Sequence, residues 1–283
     1  MSNTDFRYTN RMNRIKRNAE KESLISKAGV IKPAHLLIAC LQEKGGAMGE
    51  LILYADISLD ILREAAGSME TYKTIKVDFF NNLVTEEVAE VFGVAVDLMK
   101  RYNQIFVNEG HLLKALITTK VLDAYLSEEA KRIILTLGTT SRDMITHLGN
   151  YTFPEVNCEQ LRKAKPDDEE KLVSFVEENF SDEWAGIIKD AFLSSEPTVY
   201  VALDENDNFI GFAAFDVYQN KKGYFGPMGV VTTNRTHGTG YALLHHCLKE
   251  MKEVGYEYAI IGGAGPIEFY EKACNAVVIP VAK

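Results

Sequence analysis

Apolar residues recur at helical spacing through most of residues 1–150, as in Ile15 and Ala19 and in the run "VIKPAHLLIACL" at 30–41. After residue 150 the pattern changes. A short extended run around Cys158 to Ala164 precedes "KPDDEEKLVSFVEENF", where Pro166 and Asp167 are start signals for a helix with an acidic first turn. A second helix is predicted over about 183–193. "TVYVAL" (198–203) and "FIGFAAFDV" (209–217) have strand composition and are joined by the turn-forming "DENDN". "YFGPMGVV" (224–231) is a third strand, interrupted by Gly226 and Pro227, and it feeds into "NRTHGTGYALLHHCLKEM" (234–251). The helix in that stretch aligns Leu243, Leu244, Cys247, Leu248 and Met251 on one face and stops at Gly255. His245 and His246 point mostly away from that face and read as surface residues. "YEYAIIGGAG" (256–265) is a further strand, "IEFYEKA" (267–273) a short helix and "AVVIPV" (276–281) a last strand.

The first half repeats itself. With a shift of 76 residues, "VIKPAHLLIACL" lies over "FVNEGHLLKALI" (106–117), so that His35-Leu36-Leu37 meets His111-Leu112-Leu113, and upstream Ile15 meets Val91 and Ala19 meets Ala95. Neither unit alternates as a strand does, which predicts a duplicated all-helical domain with each unit packing its apolar faces against the other. His35 and His111 each open an apolar helix and read as capping or core histidines, since no metal-ligand spacing surrounds them. "LGNYTFPEVN" (148–157) breaks the periodicity and reads as a linker. Two domains follow, at 1–150 and 151–283, the first all-α and the second a mixed, mostly antiparallel α/β sheet.

Charge separates the halves. Residues 1–150 carry 19 Lys and Arg against 19 Asp and Glu, while residues 151–283 carry 12 against 21, so the formal charge of −9 sits on the second half. That balance argues against nucleic acid as a partner there and favours cationic ones such as amines. Cys40, Cys158, Cys247 and Cys274 lie far apart without a CxxC or Cys/His cluster, which indicates neither a zinc site nor a disulfide framework. No run reaches the 18 or more apolar residues of a membrane span, and no leader pattern opens the chain, so a cytoplasmic protein is expected.

The glycine-broken loop ahead of the helix at 240–251 carries the chemistry. Backbone N–H groups at a helix mouth, with the positive end of the helix dipole behind them, favour an anion such as a phosphate or pyrophosphate. A dinucleotide fold is not indicated, because GxGxxG does not follow the first strand of this half. No GxxxxGK[ST] is present, which excludes a Walker nucleotide site.

The tandem repeat with HLL opening an apolar helix resembles the Clp amino-terminal domain over roughly 5–148. The resemblance implies a recognition platform for protein partners, with Ala34 and Gly110 where an acidic residue often precedes the histidine. "RTHGTG" (235–240) resembles the [RQ]xxGx[GA] loop of the GNAT acetyltransferases, with Arg235, Gly238 and Gly240 in the matching places, and "FYEKA" (269–273) resembles that family's second motif. This second resemblance spans about 158–281. It implies acetyl-CoA as cosubstrate and no metal. It further implies that the amides of Arg235, Thr236, His237, Gly238, Thr239, Gly240 and Tyr241 hold the pyrophosphate, that the backbone of Val230 and Val231 binds the pantetheine arm, and that Tyr270 is the acid that protonates the departing thiolate. "GGAGP" (262–266) departs from the family, which often has an Asn after this strand, and "AVVIPV" lacks the family's usual returning strand.

The expected function is therefore an N-acetyltransferase acting on an amine-bearing small molecule or peptide, with the helical domain recognising a partner. The alternative is an inactive acyl-CoA-binding sensor or adaptor. Asp216, Glu183 and Glu268 are candidates for the base. The unpaired edge at 276–281 predicts a homodimer or a covered edge, and removal of residues 1–148 is expected to leave transfer to a small generic amine nearly unchanged while transfer to the true partner falls.

Overall fold

The structure, a computed structural model, describes residues 6–67, 72–156, 160–234 and 238–281. Its contacts divide the chain into two compact units, 1–141 with 280–283, and 142–279.

The first unit is built from the expected repeat. Its elements are β1 (Arg7–Tyr8), α1 (Asn10–Ile25), α2 (Pro33–Leu41), α3 (Ala47–Tyr54), α4 (Leu59–Gly67), β2 (Thr74–Ile75), β3 (Val84–Thr85), α5 (Glu86–Arg101), β4 (Phe106–Val107), α6 (Glu109–Thr118) and α7 (Glu128–Gly138). Each long helix starts on a threonine whose hydroxyl accepts an N–H three residues on, Thr9 from Met12 and Thr85 from Val88. The two histidines close capping boxes at equivalent places: His35 Nδ1 accepts the Lys32 N–H at 3.0 Å, and His111 Nδ1 accepts the Asn108 N–H at 3.1 Å. Both imidazoles are buried and in first turns, as read from the sequence. The duplication is helical except for two-residue strands, in which β1 pairs with β4 and β2 with β3. Turns at 121–126 stand where the second repeat would match α3. No helix among the described residues is long and apolar enough to cross a membrane.

The second unit contains β5 (Arg142–His147), β6 (Leu161–Lys163), α8 (Glu169–Asn179), α9 (Asp182–Ala191), β7 (Val199–Leu203), β8 (Phe209–Phe215), β9 (Tyr224–Val230), α10 (Thr239–Val254), β10 (Tyr258–Ala264), α11 (Ile267–Cys274) and β11 (Val277–Val278). The strands form one sheet in the order β11-β5-β10-β9-β8-β7-β6. All neighbours are antiparallel except β9 and β10, which run parallel. Alternate strand residues point to opposite faces. Val199, Val201, Phe212 and Ala214 thus pack against α8 and α9, whereas Ala202, Ala213, Phe215 and Phe225 pack against α10 and α11.

Two expectations need correction. The boundary near 150 falls inside the second unit, because β5 lies upstream of it and enters the sheet between β10 and β11. The place beside β10 is thereby taken by a strand that precedes the rest of the sheet in the chain. Residues 148–156 are also not a free linker: Leu148 is fully buried, the Tyr151 hydroxyl donates to the Ala273 carbonyl at 2.8 Å, and Lys252 Nζ donates to the Gly149 carbonyl at 2.9 Å. This segment ties α10 to α11.

Candidate active site

The site forms where β9 parts from β10. The two parallel strands pair only at Tyr224 with Ile260 and Phe225 with Ile261, and beyond that point β9 continues against β8 alone. Gly226 has φ +125°, a backbone that only glycine adopts without strain, and it begins the departure. Gly229 continues it under close packing, since a Cβ there would lie 2.5 Å from the Phe180 ring.

The end of β9 leads to the mouth of α10. Gly238 is the residue before the helix, in the left-handed conformation at φ +79°, and no side chain among the described residues caps the helix. The first N–H groups of α10 thus emerge without a side-chain acceptor, beside an open approach: a Cβ on Gly238 would meet nothing within 4 Å. Gly240 is already helical, so the need for positive φ rests on Gly238 and not on Gly240. Arg235, Thr236 and His237 lie outside the described residues. Thr239 is buried in the first turn, and Tyr241 is partly exposed with its ring 4.3 Å from that of His245.

The backbones of Val230 and Val231 face opposite ways. The Val231 N–H donates to Ile210 at 2.9 Å and its carbonyl accepts the Asn234 N–H at 2.9 Å, so Val231 is engaged within the fold. In an antiparallel ladder the next residue back turns its N–H and C=O to the other side. Val230, opposite Gly211, therefore directs its backbone away from β8, to the side from which β10 has withdrawn.

Tyr270 is 7% exposed on α11 and its ring lies edge-on to Phe225 at 6.4 Å, beneath the last β9 residue that pairs with β10. Burial first, and the nearby Cys274 sulfur second, push its phenol above the ordinary value, so it stays protonated. On the opposite face, β5 contributes a group that the sequence reading missed. Asp143 Oδ1 accepts the Gly263 N–H at 2.8 Å and the Tyr224 hydroxyl at 3.2 Å. The Tyr224 ring reaches it by lying across β10 at Gly262, where a Cβ would come within 2.0 Å of the ring.

The three expected bases are placed differently. Both oxygens of Asp216 are occupied, Oδ1 by the Gly223 N–H and Oδ2 by the Tyr256 hydroxyl, each at 2.7 Å, and they hold the turn between β8 and β9. Glu268 pairs with Lys272 at 2.5 Å along α11. Glu183 is exposed in the first turn of α9. His245 is not a surface residue: it is 3% exposed and stacks on Tyr151 at 5.8 Å under the 148–156 segment. No cluster of His, Cys, Asp and Glu among the described residues suits a metal ion.

Comparison with known families agrees with this architecture. Residues 7–129 match the Clp repeat (R) N-terminal domain and residues 159–276 match the Acetyltransferase (GNAT) family. The chain joins a Clp repeat domain to a GNAT domain. Solved structures show more distant likeness. A fungal multi-domain GH3 β-N-acetylglucosaminidase with a GCN5-related glucosamine N-acetyltransferase region is 15% identical over 74% of this chain and 30% of its own, with a TM-score of 0.43. The chain thus matches about a third of that protein's length. The N-terminal domain of the chaperone ClpD from Arabidopsis thaliana is 18% identical over 49% of this chain and 90% of its own, at 0.32. A GNAT family N-acetyltransferase from Escherichia coli, in complex with CoA, is 24% identical over 38% of this chain and 63% of its own, at 0.29. No curated protein matches the chain significantly. The family matches carry the assignment, and the GNAT match supports acetyl transfer as the general activity of the second unit. That match begins after β5, so the strand bearing Asp143 lies outside it.

Proposed function

We propose that the GNAT domain transfers an acetyl group from acetyl-CoA to an amine by direct attack, and that the Clp repeat domain recognises a protein partner. One observation carries the reading: the uncapped mouth of α10 opens beside the end of β9 where β9 has left β10. The N–H groups of Gly238, Thr239, Gly240 and Tyr241 suit a pyrophosphate, and the Val230 backbone suits the amides of the pantetheine arm. The thioester then lies near Phe225 and Gly226, and Tyr270, whose ring packs edge-on to Phe225, is assigned as the acid that protonates sulfur as the C–S bond breaks. The negative charge of the second half suits a cationic acceptor, whether small molecule or peptide. Cys40, Cys247 and Cys274 are buried free thiols, in keeping with a cytoplasmic protein.

The test is release of free CoA thiol from acetyl-CoA in the presence of an amine and peptide panel. Amine-dependent release is the expected outcome. Tight acetyl-CoA binding without release from any acceptor overturns transfer in favour of an acyl-CoA-binding sensor or adaptor.

A further inference from the structure

The reaction needs a group that takes a proton from the incoming ammonium, and of the three carboxylates expected from the sequence Asp216 and Glu268 are already engaged and Glu183 stands exposed in the first turn of α9. We propose that Asp143 is this base. The inference rests on the acetyl-transfer reading and adds a catalytic residue from β5, the strand that precedes the family match.

Position carries the argument. Tyr224 and Phe225 are consecutive in β9 and point to opposite faces of the sheet, at the last two rungs shared with β10. Phe225 contacts Tyr270 on the α10 and α11 face, and Tyr224 bonds to Asp143 on the other. The acid for the leaving thiol and the carboxylate are therefore linked to one pair of rungs from opposite faces, Tyr270 through Phe225 and Asp143, across β10, through Tyr224. Acetyl-CoA, held by α10, occupies the Tyr270 face, which leaves the Asp143 face for the acceptor. An amine arriving there attacks the thioester carbonyl from the side opposite the departing sulfur's proton donor.

The surroundings of Asp143 suit the task. Both of its side-chain hydrogen bonds go to Oδ1, and the residue is exposed, which leaves Oδ2 as the oxygen for a proton. Those bonds fix the orientation of the carboxylate, and Tyr224 remains a neutral phenol: burial and the Asp143 charge raise its pKa to about 12. The Tyr218 ring stacks on Tyr224 at 5.5 Å, and Lys221 lies 5.3 Å over the Tyr224 ring as the cation of this rim.

The step balances. The acceptor enters as an ammonium and gives one proton to Oδ2 of Asp143. Its freed lone pair forms the C–N bond, and the C–S bond breaks with its electrons on sulfur, which takes the Tyr270 proton. The second proton on the amide nitrogen restores the phenol through solvent, and Asp143 releases its proton to solvent, for a net release of one.

The experiment uses the full chain with the amine that gives the highest thiol release. Asp143→Asn keeps an oxygen for the Gly263 N–H and removes the charge. The expected result is a loss of turnover of about 100-fold or more, with acetyl-CoA affinity by calorimetry and melting temperature unchanged. The residual rate should rise tenfold per pH unit toward the amine's own pKa, because only free amine then reacts. Asp143→Glu should recover part of the loss. Wild-type turnover in Asp143→Asn, with chemistry shown to limit the rate, overturns the assignment and leaves acetyl transfer standing. An equal loss in Asp143→Glu and Asp143→Asn with a lowered melting temperature in both assigns Asp143 to sheet structure and overturns it also. A wild-type chain that binds acetyl-CoA yet releases no thiol with any amine removes the transfer reading itself.

Discussion

Ile145 of β5 stands opposite Ile260 of β10, and on its other side opposite Val277 of β11. A strand that precedes the family match therefore joins the edge of the GNAT sheet to its middle. Met144 and Leu148, on and beside this strand, are fully buried in the core under α10 and α11. Each contributes about 1.5–3 kcal/mol by burial, against a typical domain stability of roughly 5–15 kcal/mol, before the ladder bonds on both flanks are counted. A fragment of residues 151–283 should consequently fail to fold, contrary to the expectation from the linker at 148–157. A fragment of residues 139–283 should melt cooperatively. Calorimetry on the two fragments decides, and a cooperative transition from 151–283 would show that β5 is dispensable.

The glycines at the mouth of α10 should respond unequally. Gly238 holds φ +79°, which any other residue adopts only with strain, while Gly240 is helical and its Cβ would meet Val230 at an ordinary 3.7 Å. At 100 times its dissociation constant, acetyl-CoA should stabilise the full chain by about 2.7 kcal/mol. Gly238→Val should lose most of that stabilisation, because the new side chain both strains the turn and fills the anion approach. Gly240→Ala should keep it. Thermal shifts with and without acetyl-CoA measure both, and equal retention in the two variants would place the anion elsewhere.

Tyr270→Phe removes one hydroxyl and keeps the ring against Phe225. Acetyl-CoA affinity should survive while turnover falls by roughly 100- to 10,000-fold. Since burial raises the phenol's pKa, the alkaline limb of the wild-type rate due to this group lies above the ordinary phenol value of about 10. A phenol that holds its proton so firmly gives it up only when charge has accumulated on sulfur. The loss should therefore shrink with an acetyl thioester of a more acidic thiol. A Phe variant near the wild-type rate with chemistry limiting makes Tyr270 a packing residue.

Much of this was legible in the chain. The repeat fixed equivalent positions that the structure bears out to the level of the caps, with Thr9 and Thr85, and His35 and His111, in matching roles. The second half's alternation gave its strands in order from β6 onward. β5 was not legible because its inward positions are Arg142, Met144 and Thr146, so a period of two carries almost no hydrophobic signal. The two polar members are satisfied only in three dimensions, Arg142 by the Ile279 carbonyl at 2.9 Å and Thr146 by the Cys274 carbonyl at 2.5 Å. Asp143 was lost with its strand. His245 was misplaced for a related reason: the surface that buries it, Tyr151 and Phe153, belongs to a segment whose Gly, Asn and Pro content reads as a loop.

The capping histidines give the helical unit a pH dependence whose sign is fixed. His35 Nδ1 and His111 Nδ1 each accept a backbone N–H, which only the neutral imidazole does, and burial lowers each pKa from 6.5 to about 4. Neighbouring Lys32 and Lys114 add to the depression, and Glu22 opposes it at His35. The unfolded chain thus binds more protons than the folded one between those values. Stability from this source is complete above about pH 6.5 and is lost as pH falls toward 4, at about 1.4 kcal/mol per pH unit for each histidine. His35→Gln with His111→Gln should flatten the curve, because glutamine at this position of a capping box also accepts the same N–H and does not titrate in the window. Melting temperatures of wild type and double variant at pH 7.5, 6, 5 and 4.5 read the difference. The variant's advantage should grow steadily with acidity, and parallel curves would mean that both imidazoles keep their ordinary protonation in the folded unit.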